Sequence, residues 1–107
     1  MDKIYFAITG TKHRYGQEFF EKGMKVELVK EPDNDYDKEA IKVLLDGLLV
    51  GYVANSTYTV PSECMSAGRI YDKIGDTAYG KVKLVTDRGI LCKLSKKSLV
   101  GVEVIQA

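Results

Sequence analysis

The chain has 107 residues, 45% of them hydrophobic and 29% charged, with a formal net charge of +1. This length is enough for one domain with a modest core, and the apolar runs are far too short to span a bilayer. The near-neutral charge excludes the strong overall positive field of many nucleic-acid binders. The second half is mildly basic, and its densest basic patch is Lys93, Lys96 and Lys97.

Alternation of apolar and polar residues predicts that most of the chain forms strands. In chain order the predicted strands are 3–9, 24–29, 41–45, 48–54, 78–84, 90–94 and 100–104. The dipeptide Asp46-Gly47 lies between two apolar pairs and predicts a two-residue hairpin. The residues predicted to form the core are Ile4, Phe6, Val26, Leu28, Ile41 and Val43.

Two short helices are predicted between these strands. One covers 17–22 and is closed by Gly23; the other is capped by Ser66, runs to about Ile74 and is stopped by Gly75. Many short strands with few helices predict an all-β fold, a small antiparallel barrel or sandwich. At this size a closed or partly closed barrel protects its edges best, so we expect an OB-like β-barrel of about six or seven strands.

The segment 31–43 crowds acidic residues between two apolar runs, and calcium binding is one interpretation of it. Asp33, Asp35 and Asp37 have the one-three-five spacing of a calcium loop. Lys38, however, stands where that loop needs glycine, and Leu44 stands where it needs a bidentate glutamate. We therefore expect no metal site here.

A catalytic role for these acids is a second interpretation, because paired carboxylates perform general acid–base chemistry. The acids lie within one solvated turn, and neither a nucleophile nor a metal partner accompanies them. His13, Cys64 and Cys92 form no recognisable triad, and no phosphate-binding glycine loop is present. The sequence predicts neither an enzyme nor a cofactor. A third interpretation is a soluble turn closed by Asx hydrogen bonds.

A more specific pattern covers residues 3–55 and includes this turn. It consists of an Arg-Tyr pair after the first strand, a glycine before the second, an E-P-x-N-x-Y-D turn, A-I-x-V and G-Y-V. Its residues are Arg14, Tyr15, Gly23, Glu31, Pro32, Asn34, Tyr36, Asp37, Ala40, Ile41, Val43, Gly51, Tyr52 and Val53. This combination resembles the HIRAN family, and we expect residues 1–107 to form a single HIRAN-like domain.

The resemblance implies an OB-like module that captures the 3′ end of single-stranded DNA, in DNA repair or stalled-fork processing. Its pocket would lie between the loop after the first strand and the 31–37 turn. A free-standing bacterial-type member is expected, since no helicase motif or zinc finger is visible. A protein partner such as a helicase or nuclease stays open. The chain start lacks the layout of a signal peptide and the two cysteines have no framework spacing, so a cytoplasmic location is expected.

The family pocket implies stacking and phosphate-binding roles for three residues. Tyr15 and Tyr36 would supply flat faces for bases, and Arg14 would offer a planar fork to a phosphate oxygen. Each has a plainer interpretation that the residues leave open. Tyr36 would simply cover the edge of the core, and Arg14 would be solvated.

Three further residues would complete the pocket. Asp37 would accept a hydrogen bond from a terminal hydroxyl and repel a phosphate, Asn34 would contact sugar or phosphate, and Tyr52 would complete the wall. Asp37 could equally be only an Asx cap for the strand that follows. Asp33 and Asp35 add negative charge beside this pocket, so a protein-interaction module without nucleic-acid binding is the alternative function.

Overall fold

The computed structural model describes residues 3–11, 14–56, 59–61, 63–86 and 89–100, and strands dominate this part of the chain. The strands are β1 Tyr5–Thr9, β2 Lys25–Lys30, β3 Ile41–Leu45, β4 Leu48–Val53, β5 Thr77–Thr86 and β6 Gly89–Leu94. One α-helix is described, α1 Ala67–Tyr71, together with 3-10 turns at Gln17–Phe19 and Lys96–Ser98. The prediction of an all-β chain with six or seven strands is confirmed.

The six strands close into an antiparallel barrel in the order β1-β4-β3-β2-β5-β6. Strand β1 closes the ring because it pairs with β4 on one side and with β6 on the other. Every strand therefore has two neighbours, and the barrel leaves no open sheet edge. This order also places β5 and β6 on the opposite side of the ring from β3 and β4.

Inward-facing side chains of all six strands fill the barrel. Of the residues predicted to form the core, those at most 1% exposed are Phe6, Val26, Leu28, Ile41 and Val43. Ile4 was predicted to be a core residue, but it is only partly buried. It precedes β1 and packs against the core from its margin. The helix contributes Ala67 and Ile70, which are fully buried and pack into the same core.

The hairpin between β3 and β4 forms at Asp46-Gly47, as predicted. Both residues have positive φ, 52° and 84° respectively. Positive φ at both central positions is the two-residue turn whose twist matches that of paired strands, and Asp-Gly adopts it readily. The turn therefore sets the register that brings the end of β4 beside the segment that leads into β3.

The helix predictions are confirmed in place but not in length. Ser66 caps α1, since its hydroxyl accepts a hydrogen bond from the Arg69 N–H at 3.3 Å. The helix ends at Tyr71 rather than Ile74, because Ile74 instead forms a β-bridge with Leu99. The predicted helix 17–22 is only the short 3-10 turn. The predicted strand 100–104 lies outside the described residues beyond Val100.

Strand β5 departs from simple alternation near its end. Its register with β6 shifts between Val82 and Leu84. Val82 is fully buried, but Leu84 is 53% exposed although it lies two residues further along. A bulge of this kind inserts an extra residue and turns the following side chains to the other face.

The two cysteines are free thiols, and both are buried. Burial, followed by the neighbouring Cys64, raises the pKa of Cys92 to about 12. A thiol with so high a pKa stays protonated near neutral pH and behaves as a small apolar side chain. None of the helices in the described part of the chain has the length and apolarity needed to cross a bilayer.

Candidate functional site

The E-P-x-N-x-Y-D segment is a hydrogen-bonded turn that connects β2 to β3. Its ends are tied because the Glu31 N–H donates to the Ala40 carbonyl at 2.9 Å. Within it, Asn34 Oδ1 accepts from the N–H groups of Tyr36 (2.8 Å) and Asp37 (2.9 Å). One amide oxygen thus fixes two successive peptide groups. The backbone at residue 36 is therefore held without any contact from the Tyr36 side chain.

Glu31 lies at the centre of the polar contacts beneath this turn. Its Oε1 accepts hydrogen bonds from Asn34 Nδ2 at 2.8 Å and from the Tyr52 hydroxyl at 2.9 Å. Its Oε2 is 3.9 Å from Lys42 Nζ in a partly exposed ion pair. Glu31 therefore joins the turn to β3 and β4. The sequence pattern includes Glu31 but predicts no role for it in the site.

Asp37 is bonded through both of its carboxylate oxygens. Oδ1 accepts from the Glu39 N–H at 2.9 Å, and Oδ2 accepts from Asn55 Nδ2 at 2.8 Å. The amide oxygen of Asn55 in turn accepts from the Gly68 N–H at 2.8 Å, which links the turn to α1. The predicted Asx hydrogen bond of Asp37 is present, and each oxygen retains a second acceptor position. Whether Asp37 also contacts a ligand stays a prediction. Asn55 was missed because no sequence signal marks it.

A cleft of about 390 Å³ opens beside this turn. It is lined by Asn34, Tyr36, Asp37, Ala40, Tyr52 and Val53. The ring of Tyr36 is 97% exposed, so it does not cover the core edge, and that plainer interpretation is wrong. An exposed ring carried on a hydrogen-bonded turn has no packing role within the described structure. The volume suits a small ligand or one terminal residue of a polymer.

Tyr52 forms a half-buried wall of the cleft. Its pKa is raised, first by burial and then by the hydrogen bond to Glu31 and the charge of that carboxylate. The positive charge of Arg14 acts in the opposite direction and lowers the pKa of Tyr52. Arg14 therefore lies close enough to the cleft to influence a charge there, although it is not among the lining residues.

Tyr15 stands apart from the cleft, in the loop after β1. Its ring stacks on Phe19 with centroids 5.2 Å apart, and Phe19 meets the buried Phe20 edge to face at 6.0 Å. This aromatic ladder anchors the loop that carries Arg14. Tyr15 is still 52% exposed. The structure thus brings Asn34, Tyr36, Asp37 and Tyr52 together, with Arg14 nearby and Tyr15 outside the lining.

Calcium is expected to leave the 33–37 segment unchanged. Asp37 is already bonded through both oxygens, while Asp33 and Asp35 are exposed and make no described contact that would hold them around an ion. Among the described residues no group of three or more histidine, cysteine or acidic side chains is arranged to hold a metal. NMR shifts of residues 33–37 should stay constant during a calcium titration; saturable changes in the micromolar range would contradict this.

The fold and the cleft define a small closed β-barrel with a polar site at the turn after its second strand. A family model, the HIRAN domain, matches residues 1–84. The chain belongs to the HIRAN domain family, whose members are nucleic-acid-binding modules. No curated protein and no solved structure matches the chain. All residues of the cleft and the loop after β1 fall within the matched span.

Proposed function

We propose that this domain binds the 3′ end of single-stranded DNA in the cleft beside the 31–40 turn. The observation that carries the proposal is the ring of Tyr36, 97% exposed at the edge of that cleft. A tyrosine ring offers a face to any base, and stacking contributes on the order of 1–3 kcal/mol per base. Hydrogen bonds that Asn34 Oδ1 accepts from the backbone hold the turn beforehand, so little conformational entropy is lost on binding.

Asp37 is the residue proposed to distinguish a free 3′-hydroxyl from a 3′-phosphate. Its carboxylate lines the cleft, and the free acceptor positions on its oxygens can receive the O–H of a terminal 3′-hydroxyl. A 3′-phosphate, or a strand that continues, would bring negative charge against this carboxylate and be repelled. Arg14, whose charge reaches Tyr52, would neutralise the preceding phosphate.

The remaining roles follow from what each side chain has left to offer. Asn34 spends its oxygen on the turn and has one N–H free for sugar or phosphate. Tyr52 forms the wall, and Tyr15 offers an exposed face to a base further from the end. We further propose that the domain binds DNA without catalysing a reaction and that it acts in DNA repair. A cytoplasmic location is also proposed, because it suits two free thiols.

The test is a titration of labelled single-stranded oligonucleotides that differ only at the 3′ terminus. We expect tighter binding to a free 3′-hydroxyl than to a 3′-phosphate, at both low and physiological salt. A 5′-phosphate should make no difference, because the cleft reads the other end. Equal affinity for the two 3′ termini would overturn the proposal.

An exchange of two side chains can separate the structural role of Asp37 from its proposed role at the end. In the double variant Asp37→Asn/Asn55→Asp, the side-chain oxygen at position 37 can still accept from the Glu39 N–H. The side-chain nitrogen at position 37 can donate to the carboxylate at position 55. The new carboxylate at 55 can still accept from Gly68. The hydrogen-bond chain is preserved, while the negative charge moves out of the cleft lining.

We expect this double variant to melt close to the wild type. The single variant Asp37→Ala should melt lower, because Asn55 Nδ2 loses its hydrogen-bond acceptor and the free energy of unfolding falls by about 1–3 kcal/mol. The double variant should lose most of the preference for a 3′-hydroxyl over a 3′-phosphate. Melting curves and paired oligonucleotide titrations measure the two effects. A double variant that keeps the wild-type preference would show that the charge of residue 37 does not select the end.

A protein-interaction role is favoured by one observation, the acidic rim of the cleft. Asp33 and Asp35 are exposed beside it, and their charges disfavour a polyanion while they favour a basic peptide. If the oligonucleotides fail to bind even at low salt, a cationic peptide segment of a partner such as a helicase or nuclease becomes the better candidate for the cleft.

A further inference from the structure

Three lysines lie side by side on the outer face of the barrel, on neighbouring strands. In the strand register Lys25 of β2 pairs with Lys81 of β5, and Lys81 pairs with Lys93 of β6. Their neighbours along each strand, Val26 and Val82 among them, are buried, so the lysines point outward. Adjacent strands are about 4.8 Å apart, so this lysine row crosses roughly 10 Å of the surface.

Further positive charge surrounds the lysine row. Partial burial, and then the charges of neighbouring lysines, lower the pKa of Lys93. Those neighbours are Lys3, Lys83, Lys96 and Lys81. The positive field is therefore concentrated here although the chain as a whole carries only +1. The sequence showed only part of this patch, because β2, β5 and the segment before β1 contribute lysines that are distant along the chain.

Apart from the contact of Lys25 with the Tyr79 ring, no described contact of the lysine row stabilises the fold. Like charges directly opposite each other on paired strands destabilise a sheet. The ion pair found among the described residues joins Lys42 to Glu31, so none of the three lysines forms a described ion pair. Glu27 lies two residues beyond Lys25 on the same face of β2 but is not ion-paired with the row. Lysines often protect an open sheet edge, but this barrel is closed and has none. An external anion would remove the repulsion.

Aromatic rings accompany the lysines. Tyr79 lies two residues before Lys81 on the same face, is 42% exposed, and has Lys25 Nζ at 4.7 Å from its ring centroid. Tyr5 pairs with Lys93 and continues the row on β1. Cations interleaved with exposed rings are the surface that single-stranded nucleic acids use, through phosphate contacts and base stacking. This favours nucleic acid over a lipid surface or an acidic protein.

We propose that the lysine row, with Tyr79, is a second nucleic-acid site that binds the backbone of a single strand without reading its end. It lies on β2, β5 and β6. Strands β5 and β6 are across the ring from β3 and β4, and Lys25 is at the opposite end of β2 from the turn beside the cleft. The two sites are physically separate, so this site stands whether or not the cleft binds a 3′ end. Its binding should be independent of sequence and should weaken steeply with salt.

The probe for this site is a short ligated circle of labelled single-stranded DNA, which has no 3′ end. We expect the wild type to bind it at low salt. The variant Lys81→Gln/Lys93→Gln should bind it more weakly, with the slope of log affinity against log salt smaller by about 1.4, two contacts at about 0.7 each. A fourfold rise in salt should then weaken the wild type roughly sevenfold more than the variant.

Two matched variants make the result specific. Arg69→Gln/Lys73→Gln removes the same charge from exposed positions on and after α1, outside the row, and should keep nearly the wild-type slope. The variant Lys81→Arg/Lys93→Arg keeps both positive charges and should bind the circle with nearly the wild-type affinity and salt slope. Melting curves confirm that each variant is folded. If the two glutamine variants show the same slope, or if the wild type does not bind the circle, the proposal is wrong.

The outcomes also separate this site from the cleft. Circle binding that survives Tyr36→Ala but not the Lys81→Gln/Lys93→Gln change supports the row, even if no preference for a 3′-hydroxyl is found. A clear 3′-hydroxyl preference without circle binding supports the cleft function and rejects the proposal that the lysine row binds nucleic acid. Binding to phosphatidylserine vesicles in place of the circle would assign the patch to a membrane surface and overturn the proposal.

Discussion

Replacing Tyr36 by alanine is expected to weaken binding to single-stranded 3′ ends by about 1–3 kcal/mol, which is the loss of one stacked base. The fold should be unaffected, because the ring is 97% exposed and the turn is held by the backbone N–H of residue 36 rather than by its side chain. Fluorescence anisotropy with a labelled 3′-hydroxyl oligonucleotide measures the affinity. The melting temperature should match that of the wild type.

The control for this prediction is Tyr36→Phe, which keeps the aromatic face and removes only the hydroxyl. It should bind nearly as tightly as the wild type if stacking is the contribution that matters. Leu48→Ala removes another exposed apolar side chain, on β4 at the hairpin, and should leave affinity unchanged. Wild-type affinity in Tyr36→Ala would show that the exposed ring does not contact the strand.

Replacing Gly51 by alanine is expected to destabilise the domain by about 1–3 kcal/mol, the usual cost of overpacking a core. A Cβ at this position would lie 2.7 Å from Ile8 Cγ2 and 2.7 Å from the Thr9 carbonyl oxygen. The second atom belongs to the backbone of β1 and moves only if the strand moves. At roughly 4–8 °C per kcal/mol, the melting temperature should fall clearly.

The matched control is Gly75→Ala, where the nearest atom to an added Cβ is Val100 Cγ1 at an ordinary 3.9 Å. That variant should melt near the wild-type temperature. Gly51→Ala should also affect binding, because the Thr9 backbone that must shift leads directly into the loop that carries Arg14. Equal melting temperatures for the two variants would mean that β1 accommodates the methyl group.

The family pattern in this chain mixes residues that serve the fold with residues that serve the site. Gly51 makes room for β1, Asn34 holds the turn, and Glu31 joins the turn to Tyr52. The ring of Tyr36 is different, since it contacts solvent almost entirely. Matching the pattern therefore gives good evidence for the barrel and its turn, and a separate experiment is needed for each ligand contact.

Local chemistry allowed the sequence by itself to determine most of the barrel. Alternation predicted the strands because side chains on a strand point to opposite faces, and Asp46-Gly47 predicted its hairpin because both residues tolerate positive φ. The cap at Ser66 was readable because a hydroxyl can satisfy a free N–H at a helix start. Each of these features depends on residues within a few positions of one another.

Only the tertiary structure decided the features that depend on contacts between distant segments. The bulge that exposes Leu84 comes from pairing of β5 with β6, and the bridge to Leu99 ends the helix before Ile74. Asn55 meets Asp37 because α1 folds onto the turn. Lys25, Lys81 and Lys93 form one row only because the register of three strands aligns them. Periodicity within a segment carries no information about which residue of another strand lies opposite, so these contacts could not be read from the sequence.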